Sequence, residues 1–266
     1  MATNAYQRAA MPRGTNAVLD VRTVDNANAN LLLVLKPGMR VLDVGCGSGT
    51  ITKGIADIVG PNGYVCGIDR SKELIDIAQR NFKDYANLEF VSDDVMAFKP
   101  TLPFDVITTS RTLQWIETPQ EVMKKMISIL VPGGMICVLD YNHTKIEWQP
   151  APPASMQYFY NQFLKWRADV GMNNAIGDAL PQLVTGLHMQ LQLHAAFPES
   201  TKREDPDFQT HISIWTKVAE TRGQQLVADG YISEQERLQA IKDYNEYCIN
   251  EAQTMRMYLM ATHASV

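Results

Sequence analysis

The stretch Val41-Leu42-Asp43-Val44-Gly45-Cys46-Gly47-Ser48-Gly49-Thr50 limits what this chain can fold into more than any other. Val41, Leu42 and Val44 make the short apolar run of a strand covered on both faces. Three glycines at alternate positions then let the backbone turn sharply and come close to a ligand with no Cβ in the way. A helix from about Ile51 would aim the positive end of its dipole at that ligand. Asp43 puts a carboxylate beside the same turn. Rossmann dehydrogenases use a related turn for a pyrophosphate, but their G-x-G-x-x-G fingerprint is not matched. Counting from Gly45, its third glycine falls on Thr50.

With 266 residues, 45% of them hydrophobic, the chain is long enough for one large α/β domain or a core plus a cap, without disulfides. The net charge of −5 and the lack of a long basic run argue against a nucleic-acid partner. The first residues, MATNAYQRAAMPRG, lack the apolar core of a signal peptide. No apolar run approaches the roughly 20 residues that span a bilayer. The expectation is a cytoplasmic protein without a membrane partner. The scattered Cys46, Cys66, Cys137 and Cys248 read as free thiols, and no metal site is expected.

Residues 1–25 read as a polar loop with a short helix, either a disordered tail or an arm whose Tyr6, Arg8 and Met11 fold over a ligand. Residues 26–35 look helical. After the glycine turn, a helix over about 51–59 ends at Gly60-Pro61-Asn62-Gly63. Tyr64–Asp69 is a second strand, and Ser71 caps the next helix. Asp69 lies 20 positions beyond Gly49. At the ligand-binding edge of a parallel sheet, its carboxylate can accept both hydroxyls of a ribose. Strand three, Leu88–Val91, leads to Asp93 and Asp94, either of which can accept from an exocyclic amine of adenine. Phe104–Ser110 is strand four. Thr118-Pro119-Gln120-Glu121 opens a helix with a capping box and Pro at its first position. Pro132-Gly133-Gly134 ends that helix, and Met135–Asp140 is strand five. Strands alternating with helices in this way define a doubly wound parallel sheet.

Together, VLDVGCGSGT and the co-linear series Phe104-Asp105-Val106, Ser110, Leu113-Gln114-Trp115, Pro119 and Pro132-Gly133-Gly134 resemble the class I S-adenosylmethionine (SAM) dependent methyltransferases. Within that class they are most similar to the ubiquinone/menaquinone methyltransferase-like group, over about residues 30–141. The Leu-Gln-Trp triplet also resembles enzymes that methylate carboxylic acids. The resemblance implies a seven-stranded Rossmann-like α/β sheet closed by an antiparallel sixth and seventh strand, with helical cap insertions, and SAM as cofactor. It implies an arm or lid over 1–30, a SAM-binding core over 31–145, a helical cap over 146–186, and completion of the sheet over 187–266 with an insertion at about 207–251. In that insertion, helices are expected near 207–228 and 233–251, the second opened by the capping box Ser233/Glu236. Strand six would be Leu187–Phe197 and strand seven Met255–Thr262. Pro150, Pro152 and Pro153 mark 146–154 as a stiff linker. The aromatic helix 155–170 is either core or the wall of a substrate cap.

The same resemblance assigns cofactor contacts to Asp43, Gly45, Cys46, Gly47, Gly49, Asp69, Arg70, Asp93, Asp94, Val95, Ser110 and Arg111. Gln114, Trp115, Asn142 and Tyr6 are expected to meet a small-molecule substrate. Methyl transfer is an in-line displacement that needs collinear placement and exclusion of water. A base is needed only for an acceptor whose proton has a high pKa. His143 is then the candidate base, since imidazole titrates near working pH, with Tyr141 beside it. Arg111 is either a bidentate carboxylate clamp, a cofactor contact or a structural ion pair. Trp115 either walls the pocket or packs beneath the following helix. His188, His194 and His211 read as structural, and the inserted helices either complete the cap or form a homodimer interface. Two other readings stand beside methyl transfer: a SAM-binding protein of this fold that catalyses another step or acts as a binding partner, and an NAD-binding oxidoreductase. Asp43 and the missing third glycine oppose the last.

Overall fold

The structure, a computed structural model, describes residues 4–10 and 22–266. Met11, expected in the arm, lies outside them. Five strands form where the sequence predicts them: β1 (Arg40–Val44), β2 (Tyr64–Asp69), β3 (Leu88–Ser92), β4 (Phe104–Ser110) and β5 (Leu130–Tyr141), with helices in every connection except that from β3 to β4, which is a turn. They pair in parallel in the order β3-β2-β1-β4-β5. The C-terminal strand β10 (Leu259–Ser265) pairs antiparallel with β5 on one side and with β7 (Gln190–Ala196) on the other, which completes seven strands. The strand order reverses between β1 and β4. Their C-terminal ends therefore splay apart there, leaving the crevice where open α/β sheets bind ligands.

One face of this sheet packs on α2 (Val24–Ala27) and α3 (Thr50–Val59) through Leu31, Val41, Ile55, Val65 and Val106. The other packs on α5 (Pro119–Ile127) and α7 (Ile176–Gly186) through Leu42, Ile107, Met123, Met126 and Leu180. Helix α4 (Lys72–Asn81) lies at the β3 end, and Ser71 caps it by accepting from the Leu74 N–H.

A third core lies outside the sheet. Helices α6 (Ala154–Ala168), α8 (Phe208–Ile212), α9 (Ile214–Ala228) and α10 (Glu234–Asn250) gather Phe159, Tyr160, Phe163, Trp166, Trp215 and Tyr244. The aromatics of α6 are thus mainly core. Tyr158 is the exposed one. The expected capping box of α10 forms: Ser233 and Glu236 satisfy each other's backbone N–H.

Several expectations need correction. Strand seven is not continuous. The chain changes sheets at Tyr258, so Thr254–Met257 becomes β9 of a small antiparallel sheet, flanked by β6 (Glu147–Gln149) and β8 (Glu199–Lys202). The reason is burial. β9 hides only Met255 and Met257, on one face, whereas β10 is buried on both faces. Strand β6 also falls within what the sequence suggests is a stiff linker. Strand β5 begins at Leu130, before Pro132-Gly133-Gly134, and absorbs these residues as a bulge: Phe104 pairs with Leu130, but Val106 with Met135. The helix expected over 26–35 breaks at Asn28, whose side chain accepts from Asn30, and continues as a 3₁₀ turn over Ala29–Leu33. The helix near 207–228 is divided at Ser213, whose hydroxyl donates back to the Gln209 carbonyl at 2.7 Å. Thr118 makes no side-chain cap; Pro119 alone starts α5 well.

Candidate functional site

The crevice is built around the glycine turn. Gly45, Gly47 and Gly49 all have positive φ, of 79°, 56° and 85°. The Gly45 and Cys46 N–H groups both donate to the Ile68 carbonyl, at 2.8 and 3.1 Å, which pins the turn to β2. A Cβ on Gly45 would stand 2.3 Å from Thr112 Oγ1. The turn and the segment after β4 are therefore in direct contact. Gly49 begins α3 in the left-handed region, and a Cβ there would meet the Phe90 ring.

Asp69, at the end of β2, accepts from Gly47 N–H through Oδ2 at 3.0 Å and from Ser71 N–H through Oδ1 at 2.8 Å. Each carboxylate oxygen has a second acceptor site. Asp69 is thus held in place with capacity left for two further donors. Asp43 is buried, and its Oδ2 accepts from Thr52 Oγ1 at 2.7 Å. Burial pushes its carboxyl up to about 6, the Thr52 hydroxyl opposes the rise, and the nearby Asp69 adds to it. The Cys46 thiol is held well above its ordinary range by burial and by both carboxylates, so it stays protonated. The Ser48 hydroxyl, buried in the turn, has no hydrogen-bond partner among the described residues.

At the β3 end, Asp93 N–H donates to the Asp69 carbonyl at 3.2 Å, and the Asp93 carboxylate accepts from Asp94 N–H at 2.8 Å. Asp94 accepts from Met96 N–H and lies 3.9 Å from Arg70. Val95 is packed into the core beside Val44 and Ile68, so its side chain supports the crevice from beneath. Tyr6 sits on α1 (Ala5–Ala9), with the Arg70 guanidinium 4.2 Å from its ring centre, and the same helix packs against the Leu113–Trp115 turn.

The segments after β4 and β5 form one network. Arg111, at φ 57° and buried, donates to Ser110 Oγ at 2.6 Å, to the Tyr141 hydroxyl at 3.1 Å and to the Glu199 carboxylate. Tyr141 donates in turn to Glu199 Oε2 at 2.9 Å. The ion pair that is one of the readings of Arg111 forms with Glu199. Burial alone would raise the Glu199 carboxyl, but Arg111, then Arg22 and the two hydrogen bonds, hold it below its ordinary value. Burial and then Glu199 push the Tyr141 phenol up to about 12. Glu199 is absent from the sequence reading, and its place after strand six gives no local signal.

Gln114 donates from Nε2 to the Arg111 carbonyl at 2.9 Å, which turns its Oε1 toward His143 Nε2 at 2.6 Å. His143 therefore carries its proton on Nε2. It is buried among Tyr141, Phe163 and Trp215. Burial, and then Arg167, hold its pKa well below the ordinary value. The histidine thus sits in an aromatic cage and not on the open loop that its sequence neighbours suggest. Asn142 is buried with its amide donating to Asp178 at 2.8 Å and its oxygen accepting from Thr144 N–H and Oγ1, so it braces the turn after β5. Trp115 stands against Phe163 and two guanidinium groups, those of Arg167 at 4.6 Å and Arg222 at 4.3 Å. The sequence does carry a trace of Arg167, which follows Phe159 and Phe163 at helical spacing on α6.

This donor and acceptor set fits SAM. A carboxylate stands at the end of β1, β2 and β3, which suits ribose hydroxyls, an exocyclic amine and a cationic amino-acid portion, and opposes a pyrophosphate. The glycine turn supplies the close-approach cradle, and Ser48 an unused hydroxyl. Comparison with known proteins agrees. A family model described as a methyltransferase domain matches residues 35–199, and the chain belongs to that family. It stands among the SAM-dependent methyltransferases. The demethylmenaquinone methyltransferase of Lysinibacillus sphaericus is 30% identical over 115 residues, 43% of this chain and 49% of that protein. The chain thus spans about half the length of such curated relatives. Among solved structures, the YcgJ protein of Bacillus subtilis superposes with a TM-score of 0.56 at 16% identity, over 90% of this chain and 96% of that one. The [4+2]-cyclase SpnF does so with 0.53 at 18% identity, over 91% and 77%. These two likenesses show the fold alone. Among the described residues, no helix is long and apolar enough to cross a membrane.

Proposed function

We propose that this chain transfers a methyl group from SAM to an oxygen, nitrogen or carbon of a small molecule. The observation that carries this reading is Asp69, fixed by Gly47 and Ser71 at the end of β2 with acceptor capacity to spare. When bound, SAM supplies an electrophilic methyl carbon. The chain's own residues bind, orient and exclude water. Asp69 takes the ribose hydroxyls, Asp93 or Asp94 the adenine amine, and the glycine turn with Asp43 and Ser48 the amino-acid portion. Ser110, Arg111 and Gln114 face the acceptor. Tyr6 closes the adenine end by stacking on Arg70. Tyr141 stays protonated, and His143, its pKa held well below the ordinary value, is too weak a base for an acceptor proton of high pKa, so both position the site. The reading suits an acceptor that is nucleophilic without a base. The helices of residues 146–186 and 207–251 act as the cap. Residues 4–10 act as a lid, held by Arg222, which donates to the Arg8 and Ala10 carbonyls at 2.6 Å.

The likeness to a cyclase of the same fold supports a second reading, a SAM-binding protein that catalyses another step. Release of S-adenosylhomocysteine (SAH) in the presence of an acceptor separates the two. SAM or SAH is expected to raise the melting temperature and NAD to leave it unchanged; the reverse refutes both readings. Asp69→Ala is expected to weaken SAH binding by about 1–3 kcal/mol, the cost of unpaired buried hydroxyls. An unchanged dissociation constant would remove Asp69 from the cofactor site.

A further inference from the structure

One cation beside the acceptor network is fixed through its backbone and left open at its head. Arg22 immediately precedes Thr23, which caps α2: the Thr23 N–H donates to Asn26 Oδ1 at 2.7 Å, and Thr23 Oγ1 accepts from the Asn26 N–H at 3.2 Å. The next residue, Val24, is buried, and its Cγ2 lies 2.7 Å from where a Cβ on Gly54 of α3 would stand. The main chain at Arg22 is thus held against the helix that follows the glycine turn. The side chain is bound only loosely. Its Nη2 stands 3.5 Å from the Tyr141 hydroxyl, a long bond to an oxygen that already accepts from Arg111 at 3.1 Å. A guanidinium has five N–H donors. Those on Nε and Nη1 have no hydrogen-bond partner among the described residues. They are not enclosed: Arg22 is half-buried, and its unpaired nitrogens are open to solvent.

On this wall two guanidinium groups face one carboxylate. Glu199 feels the charge of Arg22, but its ion pair goes to Arg111 and its second oxygen to the Tyr141 hydroxyl. Tyr141, its phenol pushed up to about 12, adds no negative charge at neutral pH. One positive charge therefore stands unanswered in reach of solvent. We propose that Arg22 binds a carboxylate of the acceptor substrate, across the Tyr141 hydroxyl from Arg111. The proposal deepens the methyltransferase reading and rests on it. The planar guanidinium matches a planar carboxylate through two parallel hydrogen bonds. A single unanswered charge suits a monoanion, and the nearby Glu199 opposes a phosphate dianion. The carboxylate of SAM has another partner, the N-terminal end of α3 just behind the glycine turn. The substrate class is then a small carboxylic acid, held by its anion beside Tyr141.

The test titrates the SAH-saturated protein with benzoate, 3-phenylpropionate and hexanoate, and with the amide of each, by calorimetry. The expected result is at least tenfold tighter binding of the acid than of its amide in one pair or more. Arg22→Met should abolish that preference, and Arg22→Lys should keep part of it. Either substitution removes only the long bond to Tyr141 from the folded protein, so both variants should fold. Equal binding of acid and amide in all three pairs, or no binding of either, overturns the proposal, as does a preference that survives in Arg22→Met. A second arm compares SAH with decarboxylated SAH. Both should bind the parent and Arg22→Met alike; a loss confined to SAH would assign Arg22 to the cofactor's carboxylate and overturn the proposal. If SAH fails to bind the parent protein, the methyltransferase reading falls; the acid and amide titrations without SAH then still decide whether Arg22 holds a carboxylate.

Discussion

Gly45→Ala tests whether the glycine turn and the segment after β4 are one unit. Two costs follow from the structure. An alanine at φ 79° adopts a left-handed conformation, which costs about 1–2 kcal/mol. Its Cβ would also lie 2.3 Å from Thr112 Oγ1 and 2.7 Å from Cγ2, an overlap relieved only by moving the turn or Thr112. Such overpacking costs about 1–3 kcal/mol. Thr112 does not move freely, because its hydroxyl donates to the Ser110 carbonyl at 3.1 Å. Gly45→Ala should therefore destabilise by about 2–5 kcal/mol. Thr112→Ala alone loses one hydrogen bond, worth about 1 kcal/mol. In the double variant the overlap with Oγ1 and Cγ2 disappears, while the backbone strain remains. Urea unfolding of the four proteins gives the coupling directly, and it should be favourable by about 1–3 kcal/mol. Additive single effects, with coupling under about 0.3 kcal/mol, would refute the contact.

Two further outcomes concern charge. The Asp43 carboxyl is raised to about 6 by burial, with Thr52 opposing and Asp69 adding to the rise. Its raised value means that the folded ligand-free protein holds this proton longer than the unfolded chain, so Asp43 costs stability as pH rises from about 4 to 6. Asp43→Asn should then be nearly neutral at pH 4 and stabilising by about 3 kcal/mol at pH 8, yet weaken SAM binding; a pH-independent difference in urea unfolding refutes this. Glu199 has a depressed carboxyl, so its stabilisation is present above its ordinary value of 4.5 and is lost as pH falls further. Glu199→Gln should cost about 3 kcal/mol at pH 7, the low end for a buried pair because the Glu199 side chain is 24% exposed. The gap to the parent protein should narrow as pH falls below 4.5, and a gap of constant size over that fall would show that the ion pair is not its cause.

The sheet was legible because each strand ends in residues whose chemistry is local: glycines that must turn, an Asp at a strand end, a Ser that caps. Asp43, Asp69 and Gly45 could be placed by counting from one another. Glu199 could not, since it reaches Arg111 only after the antiparallel return of the chain, 88 residues later in sequence. His143 misled for the opposite reason. Its neighbours in sequence look like a loop, and the rings that bury it come from α6 and α9. The division at Tyr258 was invisible because an apolar run does not record which sheet receives it. Arg167 left only a trace, its spacing from Phe163, which puts it on the inward face of α6.

The small sheet of β6, β8 and β9 looks peripheral, yet it fixes a side chain in the crevice. Glu199 is the first residue of β8 and pairs with Met257 of β9. A slip of one residue in that pairing would turn Glu199 to the opposite face and release Arg111. The position of Arg111 beside the glycine turn therefore depends on the alignment of two four-residue strands far from it in sequence.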